Sequence, residues 1–332
     1  MHVALCGVTG AVGKELLALL ERRNFPLSKL SCFASSRSVG KTVLFRKEEI
    51  VISALSDSIC DADLLFFCAG SAVSREWAPR CKGLVIDLSS AFREEVPLVI
   101  PEINPEALLE HKGIVASPNC AATILLLPLF PIHRLYGVKR VVLSTYQAAS
   151  GGGDRLVQQL IEETRASLEA RTCPSLLPFP YAFNLYPHNS FLHPSGYVEE
   201  ELKIERESCK ILNAPELQIS ATCVRVPVLR AHAISANVEL HQPFSLEAIQ
   251  DAWSQMPGLV FQEERQNNRF PTPHDATNKD AIYCGRLRRD PTQPNTLEFW
   301  AVGDQLLKGA ALNAVQIAEK MAQRSPLQRS LL

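Results

Sequence analysis

The chain has 332 residues, of which 46% are hydrophobic and 21% charged, with a formal net charge of −1. That length accommodates two domains with a core each, and the near-zero charge speaks against a nucleic-acid or membrane surface. Ten cysteines are scattered without a C-x-x-C pair or a nearby cluster of histidines, which argues against a zinc site and for a reducing, cytoplasmic setting.

In chain order, Val3 to Cys6 reads as a short buried strand with no signal peptide ahead of it. It runs into Gly7-Val8-Thr9-Gly10-Ala11-Val12-Gly13 and a helical pattern through Leu16, Leu17, Leu19 and Leu20. Leu30 to Ala34, Leu64 to Cys68 and Leu84 to Asp87 read as further strands, each followed by Ser or Gly residues. Strands alternating with helices predict a mostly parallel sheet with helices on both faces and a ligand at the C-terminal strand ends.

After Cys120 the pattern changes. Lys139 to Gln147 alternates like a half-exposed strand, and Asp154 to Arg171 reads as a helix capped by Asp154. A Pro-rich loop spans Pro174 to Pro194, then Glu199 to Asn213 is helical. Gln218 to Val228 and His232 to His241 read as two strands of an antiparallel sheet. Phe299 to Val302 is a strand and Gly309 to Met321 an Ala-rich helix. The longest apolar run, Ala121 to Ile132, is broken by Pro128 and Pro131 and is too short to span a bilayer. Pro128 is expected to kink its helix.

The chemistry concentrates at Ser117-Pro118-Asn119-Cys120. Pro118 favours an extended approach and Asn119 suits a helix N-cap. Cys120 then falls in a first turn, where free N–H groups and the helix dipole favour a thiolate. The glycine cluster is G-x-x-G-x-x-G, placed between strand and helix as a pyrophosphate loop requires. The second strand ends in Ser35-Ser36-Arg37 rather than Asp or Glu, which suits the 2′-phosphate of NADP. Arg225 and His232 are seven apart, so a regular strand sends them to opposite faces unless it bends near Pro227. Glu200 and Lys203 share a helix face. Arg93 follows a strand end, and Gln147 precedes the triple glycine 151–153.

Taken together these segments resemble the aspartate-semialdehyde dehydrogenase family along essentially the whole chain. The matching parts are the loop 7–13, Phe33 to Lys41, Asp87 to Arg93, Val99 to Asn104, Pro118-Asn119-Cys120 and Tyr146 to Gly151. Ala182 to Asn184, Glu200 to Lys203, Arg225 to His232 and Lys308 to Ala314 complete the set.

The resemblance implies an α/β fold: a Rossmann-type parallel-sheet NADP domain plus an α+β catalytic and dimerisation domain with a mostly antiparallel sheet. Residues 1–119 form the first, with a C-terminal helix 305–332 packing back on it, and 120–304 form the second. Cys120 is implied as nucleophile, His232 as general acid/base and Gln147 as the residue orienting the intermediate. Arg225 and Glu200 are implied to bind the substrate's carboxylate and ammonium, and Arg93, Lys203 and Asn119 its phosphate. The implied cofactor contacts are Gly7, Thr9, Gly10, Ala11, Val12, Gly13, Ser35, Ser36, Arg37, Gly70, Gly152 and Gln305.

The implied activity is the reversible reduction of aspartyl phosphate to aspartate semialdehyde by NADPH, through a Cys120 thioester. It serves the pathway to lysine, methionine and threonine, and the implied assembly is a homodimer. The chain departs from the family's usual pattern at Ser117, Ala121, Ala231, Ala233 and Gln305. The rivals are N-acetyl-glutamyl-phosphate reductase, whose Cys usually follows Pro-Gly, a phosphate-independent reductase, and a non-catalytic NADPH-binding paralogue.

Overall fold

A computed structural model describes residues 1–323. Residues 324–332, the last part of the expected C-terminal helix, lie outside the described residues. The chain divides into two compact units, Met1–Asn119 with Ala310–Leu332, and Cys120–Gly309.

The first unit is built on seven strands: β1 (His2–Cys6), β2 (Lys29–Ala34), β3 (Thr42–Phe45), β4 (Glu48–Ala54), β5 (Leu64–Phe67), β6 (Leu84–Asp87) and β7 (Ile114–Ala116). Their order is β3-β4-β2-β1-β5-β6-β7, and every pair is parallel except the β3–β4 hairpin. Strands β5 and β6 are buried at every position, as a sheet covered on both faces requires. The strand order reverses at β1, the position where open α/β sheets bind ligands. Helix α1 (Ala11–Arg22) buries Leu16, Leu19 and Leu20, and α2 (Ser71–Trp77) follows β5. The hairpin β3–β4 lies in a stretch whose sequence shows no strand pattern, because its residues are mostly exposed.

The second unit holds β8 (Val138–Gln147), β9 (Tyr186–Pro187), β10 (Gln218–Arg225), β11 (His232–Leu240), β12 (Leu259–Phe261), β13 (Ile282–Arg289) and β14 (Thr296–Gly303), ordered β12-β13-β14-β11-β8-β10-β9. The central ladders β14–β11 and β11–β8 are antiparallel. Both expected strands β10 and β11 lie in this sheet, with β8 between them; β10 runs parallel to β8, so the sheet is mixed rather than wholly antiparallel. Strand β10 ends at Arg225, short of the expected Val228.

Helix α3 (Cys120–Tyr136) continues through Pro128 and Pro131, a continuity compatible with a kink at Pro128. A mid-helix proline costs ~3 kcal/mol, but nearly every side chain from Ala121 to Ile132 is buried. Each such leucine or isoleucine contributes about 1.5–3 kcal/mol, so burial outweighs the defect. The Pro128 carbonyl accepts a 2.8 Å bond from Trp253 Nε1. Helix α4 (Asp154–Leu168) is capped by Gly153 at φ 86°, not by Asp154, which is its first helical residue. The remaining helices are α5 (Glu199–Leu212), α6 (Leu246–Gln255), α7 (Pro273–Ala276) and α8 (Leu312–Ala322). The expected start of the last helix is a π-helical turn, Leu307–Ala311. Among the described residues no helix is long and apolar enough to cross a membrane.

Candidate active site

In the first unit, the β1–α1 turn is shaped by its glycines. Gly7 has φ 97°, and a Cβ there would lie 2.9 Å from the Cys68 carbonyl. A Cβ at Gly13 would lie 2.2 Å from Gly7 O, so α1 seats directly on the turn. Gly10 is the N-cap of α1 and provides no side-chain acceptor, which leaves first-turn N–H groups at Ala11 and Val12 for an anion. Thr9 is half-buried in the turn. Gly70, at φ 96°, likewise starts α2 with no side-chain cap.

At the end of β2, Ser35, Ser36 and Arg37 are exposed. The Arg37 side chain makes no hydrogen bond or ion pair among the described residues. These features fit a nucleotide with an added phosphate: a cradle that side chains would fill, and an unengaged cation beside hydroxyls.

Asp87, fully buried at the end of β6, organises the next turn. It accepts from Ser74 Oγ at 2.7 Å, Ser89 N at 3.1 Å and Ser89 Oγ at 2.9 Å. The turn delivers Arg93, which is buried rather than a surface arginine. Its Nε donates to Ser117 O at 3.0 Å and its Nη2 to Leu88 O at 3.2 Å. Arg93 thereby braces the segment that leads to Asn119, itself buried. Asn313 supports the same segment, donating to Val99 O and Ser117 Oγ.

The second unit begins with Cys120, the first residue of α3. A Cβ on Gly309 would stand 2.9 Å from Cys120 Cβ, so the π-helical turn passes the sulfur-bearing residue at a distance only glycine permits.

Gln147, Glu200, Arg225 and His232 are brought together in this unit. Gln147 and Arg225 are cross-strand partners at the ends of β8 and β10, and Gln147 Nε2 donates to Glu200 Oε1 at 3.2 Å. Arg225 and His232 reach one locus because β10 ends and the chain turns before β11, with Ala231 at φ 72°. Arg225 Nη1 donates to Ala148 O at 2.8 Å, and Ala148 N donates to His232 Nδ1 at 3.0 Å. An imidazole accepting at Nδ1 carries its proton on Nε2. Burial pulls the His232 pKa well below the usual imidazole value, and the nearby Arg225 charge pulls it further. The ring is therefore neutral, with Nε2–H as a donor.

Three atoms of this group, Gln147 Oε1, Arg225 Nε and His232 Nε2, are buried with no hydrogen-bond partner among the described residues. Each such atom costs about 1–3 kcal/mol, a penalty that a polar ligand would remove. Lys203 is half-buried on α5 and acts electrostatically on His188 and Glu199.

Gln305 is placed differently from a free cofactor contact. Its Oε1 accepts from Ala231 N at 2.9 Å, and its Nε2 donates in a short bond to Ser150 Oγ. It ties the turn bearing His232 to the turn bearing Gly151 and Gly152. A Cβ on Gly152 would meet Leu156 Cδ2 at 2.5 Å, whereas one on Gly151 would meet Arg225 Nη1 at 2.8 Å and the His232 ring at 3.0 Å.

Sequence reasoning missed His188, which faces Arg225, and Glu163, which accepts from Tyr181 N and Ala182 N and orders the Pro-rich loop. It also missed Asp304, whose carboxylate receives Arg230 Nε at 2.6 Å. A histidine in a Pro-rich loop and a glutamate on a helix carry no local signal of such roles.

Comparison with known proteins identifies the family. The family model for the semialdehyde dehydrogenase NAD binding domain matches residues 2–111, and that for the semialdehyde dehydrogenase dimerisation domain matches residues 129–308. An aspartate-semialdehyde dehydrogenase of Synechocystis sp. is 46% identical over 331 residues, covering 98% of this chain and 98% of that protein. One from Bacillus subtilis is 39% identical, covering 97% of each. The crystal structure of aspartate semialdehyde dehydrogenase II from Vibrio cholerae superposes with a TM-score of 0.93 at 36% identity, covering 97% of this chain and 98% of that one. The same Vibrio protein has also been crystallised with ASA. A nucleotide-binding domain model over the first unit, a dimerisation domain model over most of the second, and relatives matched from end to end show that the chain belongs to the aspartate-semialdehyde dehydrogenases.

Proposed function

We propose that this protein catalyses the reversible, phosphate-dependent interconversion of aspartyl phosphate and aspartate semialdehyde in amino-acid biosynthesis, with NADP as cofactor. The observation that carries the reading is the group of buried, unpartnered atoms Gln147 Oε1, Arg225 Nε and His232 Nε2 on the unit that begins with Cys120.

In the biosynthetic direction the Cys120 thiolate attacks the acyl carbon of aspartyl phosphate. The C–S bond forms, the C–O bond to phosphate breaks, and a thioester remains. Placement at a helix start favours the thiolate. Negative charge develops on the acyl oxygen during this step and the next. His232 Nε2–H is a donor in its resting tautomer and is suited to bind that oxygen. We assign proton handling at the site to this Nε2. Gln147 orients the intermediate, and Glu200 takes the substrate ammonium. Arg225 takes the carboxylate, for which a guanidinium fork is well matched. Arg93, Lys203 and Asn119 serve the phosphate. The turn 7–13, Gly70 and Gly152 would hold a nicotinamide cofactor, which when bound would supply the hydride that reduces the thioester to the aldehyde. Ser35, Ser36 and Arg37 select the 2′-phosphate. Gln305 acts on the cofactor side by fixing Ser150 and Ala231.

The first unit serves as the NADP domain and the second as the catalytic and dimerisation domain. A homodimer fits the exposed apolar side chains Phe183, Leu185, Phe191 and Leu192 in and beside the Pro-rich loop. A cytoplasmic setting fits ten cysteines that all remain free thiols.

The test is a coupled assay with aspartate semialdehyde, phosphate and NADP⁺, joined to intact-mass measurement with aspartyl phosphate and no NADPH. Turnover and an acyl adduct on Cys120 are expected, both lost in Cys120→Ala. Turnover of N-acetyl-glutamate semialdehyde alone, or a rate indifferent to phosphate, would overturn the assignment.

A further inference from the structure

The Arg225 guanidinium is buried and held at two points. Nη1 donates to Ala148 O at 2.8 Å, and Nη2 lies 2.8 Å from His188 Nε2. A guanidinium only donates, so His188 Nε2 must be the accepting nitrogen. The other ring nitrogen, Nδ1, is also placed to accept, from Ser190 N–H at 3.2 Å. A neutral imidazole accepts at one nitrogen, so two donors compete for one lone pair. The shorter, charge-assisted contact from Arg225 takes it, which leaves the proton of His188 on Nδ1. Burial holds this ring neutral, pulling its pKa down to about 4; Arg225 and Lys203 add to the effect and Glu200 opposes it.

We propose that His188 is a positioning residue of the substrate site: it fixes the rotation of the Arg225 guanidinium so that Nε–H and a neighbouring N–H stay available to an incoming carboxylate. The inference rests on the reading of Arg225 as the carboxylate ligand. Arg225 Nε is buried and unpartnered, as this arrangement requires. The choice of an imidazole has a physical reason. An aspartate or glutamate here would neutralise Arg225 and compete with the substrate for it, whereas a neutral acceptor aims the fork and leaves its charge intact.

The decisive comparison uses the full-length enzyme. His188→Leu removes the acceptor, and His188→Gln keeps an acceptor oxygen. His188→Leu is expected to raise KM for aspartate semialdehyde about tenfold, the scale of one charge-assisted hydrogen bond, with kcat and NADPH affinity little changed. His188→Gln is expected to recover part of that loss. An unchanged KM in His188→Leu would overturn the proposal. So would a parallel loss of KM, kcat and cofactor affinity that His188→Gln does not relieve. A second readout is independent of turnover. Long-range 1H–15N spectra of histidine-labelled protein, assigned by the Gln variant, are expected to show His188 neutral and protonated on Nδ1 at about pH 6, where a free imidazole is mostly charged. A charged ring, or one protonated on Nε2, would refute it. If the wild-type enzyme fails to turn over aspartate semialdehyde, the functional reading falls while the spectra still decide the role of His188 toward Arg225.

Discussion

Arg225 and His232 bind opposite ends of one residue: Arg225 donates to the carbonyl of Ala148, and His232 accepts from its N–H. Their strands are separated in the sheet by β8, and Ala148 directly follows that strand. One backbone residue thus fixes both the orientation of the guanidinium and the tautomer of the imidazole.

Gly151 packs against both side chains. A methyl group there would stand 2.8 Å from Arg225 Nη1 and 3.0 Å from the His232 ring. Both are buried and hydrogen-bonded, so neither moves cheaply. Gly151→Ala is expected to lower kcat/KM by about 100-fold, the scale of a displacement near 1 Å at a reacting group. Cofactor affinity should be retained. Steady-state kinetics with NADPH titration check this, and near-normal kcat/KM would contradict the packing argument.

Ala231 occupies the left-handed region at φ 72°, where a Cβ costs about 1–2 kcal/mol relative to glycine. Part of that gain is returned as chain entropy, roughly 0.5–1 kcal/mol. The Ala231 methyl is also fully buried, which is worth about 0.8 kcal/mol, so Ala231→Gly is expected to change stability by less than about 1 kcal/mol. Urea unfolding should show a nearly unchanged midpoint, and a clear drop, as for an ordinary buried alanine, would mean the turn carries no strain.

Arg37 has an exposed side chain at the end of β2. If it binds the 2′-phosphate, Arg37→Ala should weaken NADPH by about tenfold or more, the scale of a charged hydrogen bond. NADH binding should change little. Fluorescence titration with both cofactors distinguishes the cases, and equal losses would remove Arg37 from the phosphate site.

His133, His188 and His232 all have pKa values lowered by burial. The unfolded chain takes up protons at these rings near pH 6.5, while the folded protein resists. Stability is therefore full above that pH and falls as the pH drops below it, until each folded ring titrates. For each neutral ring the slope is at most about 1.4 kcal/mol per pH unit. Urea midpoints at about pH 7.5 and about pH 5.5 should differ, with the acidic one lower. Equal midpoints would show that these rings titrate normally in the fold.

Much of the architecture is legible in the amino-acid sequence. The apolar runs of β1, β5 and β6 identify themselves because a strand buried on both faces tolerates little else. The glycine turn, the end of β2 and the Pro-Asn-Cys junction are local features, and a local backbone requirement is written in adjacent residues. Exposed strands such as β3 and β4 are not legible, since they impose no hydrophobic pattern. Helix α3 continues past Pro128 and Pro131 because burial along the whole helix outweighs a local propensity.

The amino-acid order by itself determines the fold class, the family and the chemical identity of the residues around Cys120, because motifs and burial patterns are short-range properties. Only the tertiary structure decides that Arg225 and His232 meet, that His188 faces the guanidinium, that Gln305 is engaged by Ser150 and Ala231, and that Arg93 is a buried brace. Each of these depends on strands paired across long stretches of chain. Neither period nor spacing encodes which lone pair a distant donor will reach; that is settled when the sheet closes and water leaves.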